Sequence, residues 1–468
     1  MAVSTGSQAR TARRIYLAVP VQNVSAPGIG DNYQVKTDTR AMTVTTALFF
    51  MVGFLTCLND VVSPHLKSIF ELNYKQVQMV PFCFFLSYFV FSYPAGKLVD
   101  RFGYKKTMVI GLLVMACGAA GFLPAAHYAQ FSIFLAADIV LAAGMTAVQV
   151  AVNPYVTVIG PAATASSRLN LTQAFNSVGT FVAPFIGGLL ILGGAAPLPV
   201  DQLHLMSAAQ RQAYNVGQAD TVRLPYIIIT VALVLIAIAL GAIKLRQQTG
   251  MAEMTQDFRP GAFAEALSRP KSIWSHPWVI FAAIGLFVYV GAEVSIGNLL
   301  INYMGLPDIA GLREAVATRF LMCYWGGAMV GRFIGAAVLQ RVKTGSLLFV
   351  AGVCAFCLGL TSVLTHGHLA MAAILAVGFC NSIMFPSIFT LGVQGLGPLT
   401  SKGSSLLIAA IVGGAIIPLA QGALADKIGL HPSFIIPTLC YIYIAGFGFA
   451  ARKRPLASDD LLISDPAA

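Results

Sequence analysis

The chain has 468 residues, 57% of them hydrophobic and only 10% charged, with a mean hydropathy of +0.77 and a formal net charge of +11. Soluble domains carry about 25% charged residues, so this composition excludes an ordinary water-soluble fold. The apolar residues come in long blocks and not in alternating segments of about ten, which excludes an outer-membrane β-barrel.

Residues 1–41 are polar and carry Arg10, Arg13 and Arg14. No apolar core precedes a cleavage site, so they read as a disordered cytoplasmic tail and not as a signal peptide. Twelve apolar blocks follow, at 42–66, 76–98, 105–125, 129–158, 170–194, 223–245, 277–303, 314–339, 345–364, 369–395, 403–424 and 432–451. Each is long enough to cross a hydrocarbon core of about 30 Å. The expected fold is an all-α membrane protein of twelve transmembrane helices. Residues 42–245 make a first six-helix half, 246–276 a cytoplasmic central loop, 277–452 a second half and 453–468 a cytoplasmic tail. The positive charge is sorted by loop and not gathered for nucleic acid: with the N-terminus inside, 22 Lys and Arg fall on the cytoplasmic side and 7 on the other. That asymmetry is the positive-inside bias, and it puts both termini in the cytoplasm.

The halves repeat a pattern. Gly179, Pro184 and Gly188 in span five, and Gly413, Pro418 and Gly422 in span eleven, both read G-x4-P-x3-G at an offset of 234 residues. Pro154 and Pro386, in spans four and ten, stand at an offset of 232. Internal repeats of this kind mark secondary transporters, whose substrate sites lie near the bilayer midplane between the halves.

Between spans two and three stands "GKLVDRFGYKK". It resembles the signature G-x3-D-R-x-G-[RK]-[RK] of the major facilitator superfamily through Gly96, Asp100, Arg101, Gly103 and Lys105, with Tyr104 replacing a basic residue. The resemblance makes this loop a conformational gate, in which Asp100 faces the start of span eleven near Lys402, where a helix N-terminus favours an anion. The second-half counterpart, "GAAVLQRVK", keeps Gly335 and Arg341 and lacks the aspartate.

A carboxylate at mid-span costs roughly 2.5–3.5 kcal/mol on insertion scales. It persists where it faces a cavity, has a partner or takes up a proton. Asp60 in span one and Glu293 in span seven are such residues, at repeat-equivalent positions 233 apart. Pro64 removes the helical partner of the residue 60 carbonyl, a break tolerated where backbone lines a cavity. Amides surround the acids: Gln149 and Asn153 in span four, Gln173 and Asn176 in span five, Asn298 and Asn302 in span seven, Asn381 in span ten. On an ideal helix the Asn298 face lies about 140° from Glu293, so the two share a cavity only if span seven bends at Gly297. Amides and acids suit a ligand rich in hydroxyls, because each hydroxyl both donates and accepts. Tyr324 and Trp325 in span eight offer rings for stacking on a pyranose. Arg332 lies close to the cytoplasmic end of span eight, leaving the deep charges acidic.

No Walker A sequence is present, the seven histidines show no ligand spacing, and the CxxC of Cys354 and Cys357 reads as helix packing. The chain is expected to be no enzyme and to need no metal or other cofactor.

"CLNDVVSPHLK", "VAVNPYVTVIGP", "RLNLTQAFNSVG" and "YVGAEVSIG" resemble the fucose–proton symporter family within the major facilitator superfamily, most closely its glucose/galactose porter branch. The likeness runs from about residue 42 to 450. It implies that Asp60 couples protons and that Gln173 and Asn176 face the sugar. Fucose porters carry a glutamate where this chain has Gln149, and a glutamine where it has Glu293, so the acid has crossed the cavity. The resemblance implies a proton-coupled hexose symporter of the inner (plasma) membrane, working as a monomer in the lipid bilayer with no nucleic-acid partner. Asp60 and Glu293 would be its proton-linked groups. Its sugar would lie among Gln149, Asn153, Gln173, Asn176, Glu293, Asn298, Asn302, Tyr324, Trp325 and Asn381. Uptake of N-acetylglucosamine or fucose, export of drugs or organic solutes on the same fold, and a non-transporting sugar sensor are the rival readings.

Overall fold

The structure, a computed structural model, describes residues 37–70, 74–128, 130–191, 206–207, 210, 223–243 and 272–453. The N-terminal tail up to residue 36, most of the central loop and the C-terminal tail fall outside the described residues, as do the side chains of 58–78 and 184–190. Every regular element described is helical, as lipid demands: without water, each backbone N–H and C=O must be satisfied within its own segment.

Spans one to twelve appear in order. Span one is Thr39–Phe70. Spans two and three form one helical run, Tyr74–Tyr128, interrupted at Gly103 with φ 77°. That backbone region is open to glycine without steric cost, so the boundary expected near residues 98–105 is a single-residue break and not an extended loop. Spans four and five are Phe131–Val158 and Ala165–Ile191, and span six is Arg223–Ala242. Spans seven, eight and nine are Pro277–Gly305, Glu314–Val338 and Thr344–Leu364. Span ten is split into Gly367–Asn381 and Met384–Val393. Span eleven runs through Thr400–Ala409, a tight turn of 3-10 helix at Ala410–Val412, and Gly413–Ile428. Span twelve is Ile435–Ala451, preceded by the short helix Leu430–Ser433.

Two of the repeated pairs, Gly179 with Gly413 and Pro154 with Pro386, have matching structural uses. A Cβ on Gly179 of span five would stand 2.2 Å from the Phe50 carbonyl oxygen of span one; a Cβ on Gly413 of span eleven would stand 2.0 Å from the Phe287 carbonyl oxygen of span seven. Each glycine lets two spans of one half touch backbone to backbone. Each proline, lacking an N–H, frees the carbonyl four residues before it. Pro154 frees that of Val150, which accepts from Ser404 Oγ of span eleven at 2.8 Å. Pro386 frees that of Ser382, which accepts from Arg332 Nε of span eight at 3.3 Å.

Two seams join spans one to six to spans seven to twelve. Span five packs against span eight, and spans two and four pack against span eleven. These are the same seam under the six-span repeat, since five corresponds to eleven and two to eight. At the start of span five the buried Arg168 wraps the end of span four, donating from Nε to Val156 O at 3.1 Å, from Nη2 to Thr157 O at 2.8 Å and from Nη1 to Pro161 O at 2.8 Å. A guanidinium there satisfies orphan carbonyls at the negative end of a helix dipole.

Candidate functional site

Arg332 is the centre that sequence reasoning missed. It stands six residues before the end of span eight, which by position alone puts it near the membrane edge. Side chains lean toward the N-terminus of their helix, and for span eight that direction is into the bundle. The guanidinium therefore climbs to Glu293 of span seven: Nη2 lies 3.8 Å from Oε1, with the two side chains 12% and 13% exposed. The deep charges are thus a pair of opposite sign, and not acids alone. Arg332 also donates from Nη1 to Ser177 Oγ and, at 3.4 Å, to the Gln173 carbonyl, both of span five. One side chain ties spans seven, eight and ten to span five across the seam.

The pair is loosely made. At 3.8 Å it is an ion pair without a short charge-assisted bond, and Glu293 Oε1 accepts no hydrogen bond among the described residues. An unmet buried acceptor is costly. Asn153 Oδ1 of span four is likewise buried and unmet.

The other expected residues are placed differently from one another. Gln149 donates from Nε2 to the buried Tyr88 hydroxyl of span two at 2.9 Å, and Asn153 Nδ2 donates to the Gln149 carbonyl at 2.8 Å. Gln173 is buried, while Asn176 is half-buried and gives its Nδ2 to the Phe49 carbonyl of span one at 2.9 Å. Tyr324 and Asn381 have no exposure and bond to each other, Asn381 Nδ2 to Tyr324 Oη at 2.9 Å, while Tyr289 Oη donates to the Asn381 carbonyl at 3.1 Å. They form a core link between spans seven, eight and ten. Trp325 is half-buried, with its ring edge against the Gly297 position and at a right-angled approach to Tyr324, 5.1 Å between centroids. Span seven runs as one unbroken helix through Gly297. Asn298 and Asn302 therefore stay on another face from Glu293, and both are exposed. Asp60 lies on the span-one helix, with its side chain outside the described residues.

A further buried acid escaped the sequence reading. Asp138 of span four has no exposure. The signal was present in "FLAADIVLAAG", an aspartate inside an apolar block.

The signature loop closes one end of the bundle. Ser401 Oγ, in the first turn of span eleven, donates to Asp100 Oδ1. A Cβ on Gly96 would meet Ser405 Oγ at 2.0 Å, so glycine there lets spans two and eleven close up. Lys105 Nζ donates to the Gly241 carbonyl at 2.8 Å, at the end of span six, and the exposed Arg101 lies over the Phe102 ring at 5.3 Å. The same end carries Ser167 Oγ donating to Ala336 O at 2.6 Å and Thr344 Oγ1 donating to Ser166 Oγ at 2.9 Å.

The family model described as Major Facilitator Superfamily matches residues 44–407. A glucose/galactose transporter of Brucella abortus biovar 1 (strain 9-941) is 48% identical over 415 residues, 88% of this chain and 94% of that protein. An L-fucose-proton symporter of Escherichia coli (strain K12) is 33% identical, covering 88% of this chain and 93% of its own length. Among solved structures, the Major Facilitator Superfamily transporter FucP in the outward conformation superposes with a TM-score of 0.78 at 32% identity, over 88% of this chain and 99% of that one.

Proposed function

We infer the function from one premise: this chain belongs to the Major Facilitator Superfamily. It is a multi-pass membrane transporter and not an enzyme, and we propose that it carries glucose and galactose inward with a proton across the inner membrane, with both termini cytoplasmic. The observation that carries this reading is the 48% identity to a glucose/galactose transporter along 88% of the chain. The unmet acceptors of Glu293 and Asn153 beside the seam give it a chemical basis, because sugar hydroxyls supply the missing donors.

The sugar lies against Glu293, Gln149, Asn153 and Gln173 with a Trp325 edge nearby. Asp60 takes the transported proton from outside. Arg332 serves as the link between sugar and seam: a hydroxyl or proton on Glu293 changes how strongly the guanidinium is held by span seven, and so how strongly it holds Ser177 and Gln173 of span five. In this reading the closed end with Asp100–Ser401 is the cytoplasmic end. Rocking of one half on the other then breaks both seams at that end and exposes the sugar to the cytoplasm.

The test is uptake of labelled glucose into liposomes holding the purified protein under an inward proton gradient. Wild-type uptake is gradient-driven and competed by galactose. Glu293→Gln raises KM at least about tenfold, since a bond to a charged acceptor is worth roughly 1.5–3 kcal/mol. Asp60→Asn abolishes uphill uptake while leaving sugar counterflow. Uphill uptake by Asp60→Asn removes it from coupling, and an unchanged KM in Glu293→Gln removes that residue from the sugar site.

A further inference from the structure

At the other end of spans seven to twelve, three loops bring together Asp308, His366 and His431. Asp308 lies in the turn after span seven, His366 directly before Gly367 at the start of span ten, and His431 in the short helix before span twelve. One ligand atom from each lies within 4.8 Å of the others. His431 Nδ1 is 3.4 Å from Asp308 Oδ2, and His366 Nε2 is 3.9 Å from the same oxygen. The two rings meet edge to face, 4.9 Å between centroids. The backbone holds the loops in register, Gly367 N donating to the Asp308 carbonyl at 2.9 Å.

The decisive detail is the far side of His431. Its Nε2 lies 2.8 Å from the Ser362 carbonyl oxygen, which can only accept, so Nε2 carries the proton. In the neutral ring Nδ1 is then a bare lone pair, and it faces a carboxylate oxygen. Two acceptors at this separation are held together by a proton or a cation between them. A histidine whose outer nitrogen donates to a backbone carbonyl, with its inner lone pair fixed on a shared centre, is the usual arrangement of a metal-bound imidazole. His431 is only 8% exposed, so its ring is locked, whereas the side chains of Asp308 and His366 are 47% and 67% exposed and free to close. Around zinc, ligand atoms at about 2.0–2.1 Å from the ion stand about 3.3 Å from each other in a tetrahedron, so closing this cluster takes side-chain movement alone.

We propose that Asp308, His366 and His431 form a zinc-type divalent-metal site, with imidazole and carboxylate ligands and water completing the tetrahedron. The ion pins the loop between spans seven and eight, the start of span ten and the loop between spans eleven and twelve to one another. All three belong to the second set of six spans, so the ion stiffens that set without crossing the seam, and sugar uptake continues with it bound.

The test uses the full chain, purified, freed of any affinity tag and stripped with chelator. Zinc titration by calorimetry is expected to give one ion per chain and a raised unfolding temperature. His366→Ala and Asp308→Asn, both at exposed positions that leave the fold intact, each weaken zinc binding at least tenfold and cancel the thermal shift, with glucose uptake unchanged. Cobalt in place of zinc shows no thiolate charge-transfer band. No saturable zinc binding, equal affinity in both variants, or a thiolate band assigning the metal to the cysteines would each overturn the proposal.

Discussion

Ser167 and Ser401 stand 234 residues apart, the offset of the repeated glycines, at the starts of spans five and eleven. Each donates its hydroxyl to the opposite half, yet to different partners. Ser401 meets the carboxylate of Asp100, whereas Ser167 meets the backbone carbonyl of Ala336. The position matching Asp100 in the second half is Leu339, so the seam of spans five and eight has no acid at its rim. Its charge lies deeper, where Arg332 joins Glu293 to Ser177. One seam thus carries a peripheral latch, and the other a buried ion pair that also reaches span five. The prolines diverge the same way: the carbonyl freed by Pro154 takes a serine hydroxyl, and the one freed by Pro386 takes the guanidinium.

Breaking the buried link should cost most. Arg332→Ala leaves the Glu293 carboxylate without its counter-charge, and removal of one partner from a buried pair destabilises by about 3 kcal/mol or more. Thermal unfolding is expected at markedly lower temperature, with uptake lost; Arg332→Met combined with Glu293→Gln recovers the unfolding temperature but not uptake. If the single variant melts as the wild type does, the pair is not structurally buried in the membrane. Asp100→Asn comes next. It exchanges a charge-assisted bond for a neutral one, a difference of about 1 kcal/mol, and should raise the inward-open population about fivefold, read from labelling of a cysteine placed on the closed end. Ser167→Ala removes one neutral bond to a carbonyl, about 1 kcal/mol or less, and should shift that labelling least. A Ser167→Ala effect exceeding that of Asp100→Asn would reverse the assignment of the latch.

The apolar blocks, the six-plus-six order, the signature loop and the buried Glu293 were legible in the sequence. They depend on local composition and on spacing along one helix. Glu293 was found this way, because a carboxylate in an apolar run is conspicuous whatever its partner. Arg332 was misplaced because its distance from a helix end says nothing about which way a long side chain leans. Tyr324 and Asn381 were read as separate sugar contacts because helical spacing does not reveal that they meet each other at 2.9 Å. Asn298 shows the converse: the helical wheel already placed it away from Glu293, and an unbroken span seven kept it there.

The sequence by itself determined that the chain is a bundle of membrane-crossing helices with an internal repeat. Lipid leaves a long apolar segment no other way to satisfy its backbone, and close approach of two helices leaves few residues but glycine at the crossing. Tertiary structure alone decided the pairings: Glu293 with Arg332, Ser401 with Asp100, and Asp308 with His366 and His431. These contacts join different spans or loops, and the helical period fixes the face a residue occupies without fixing which neighbour that face will meet.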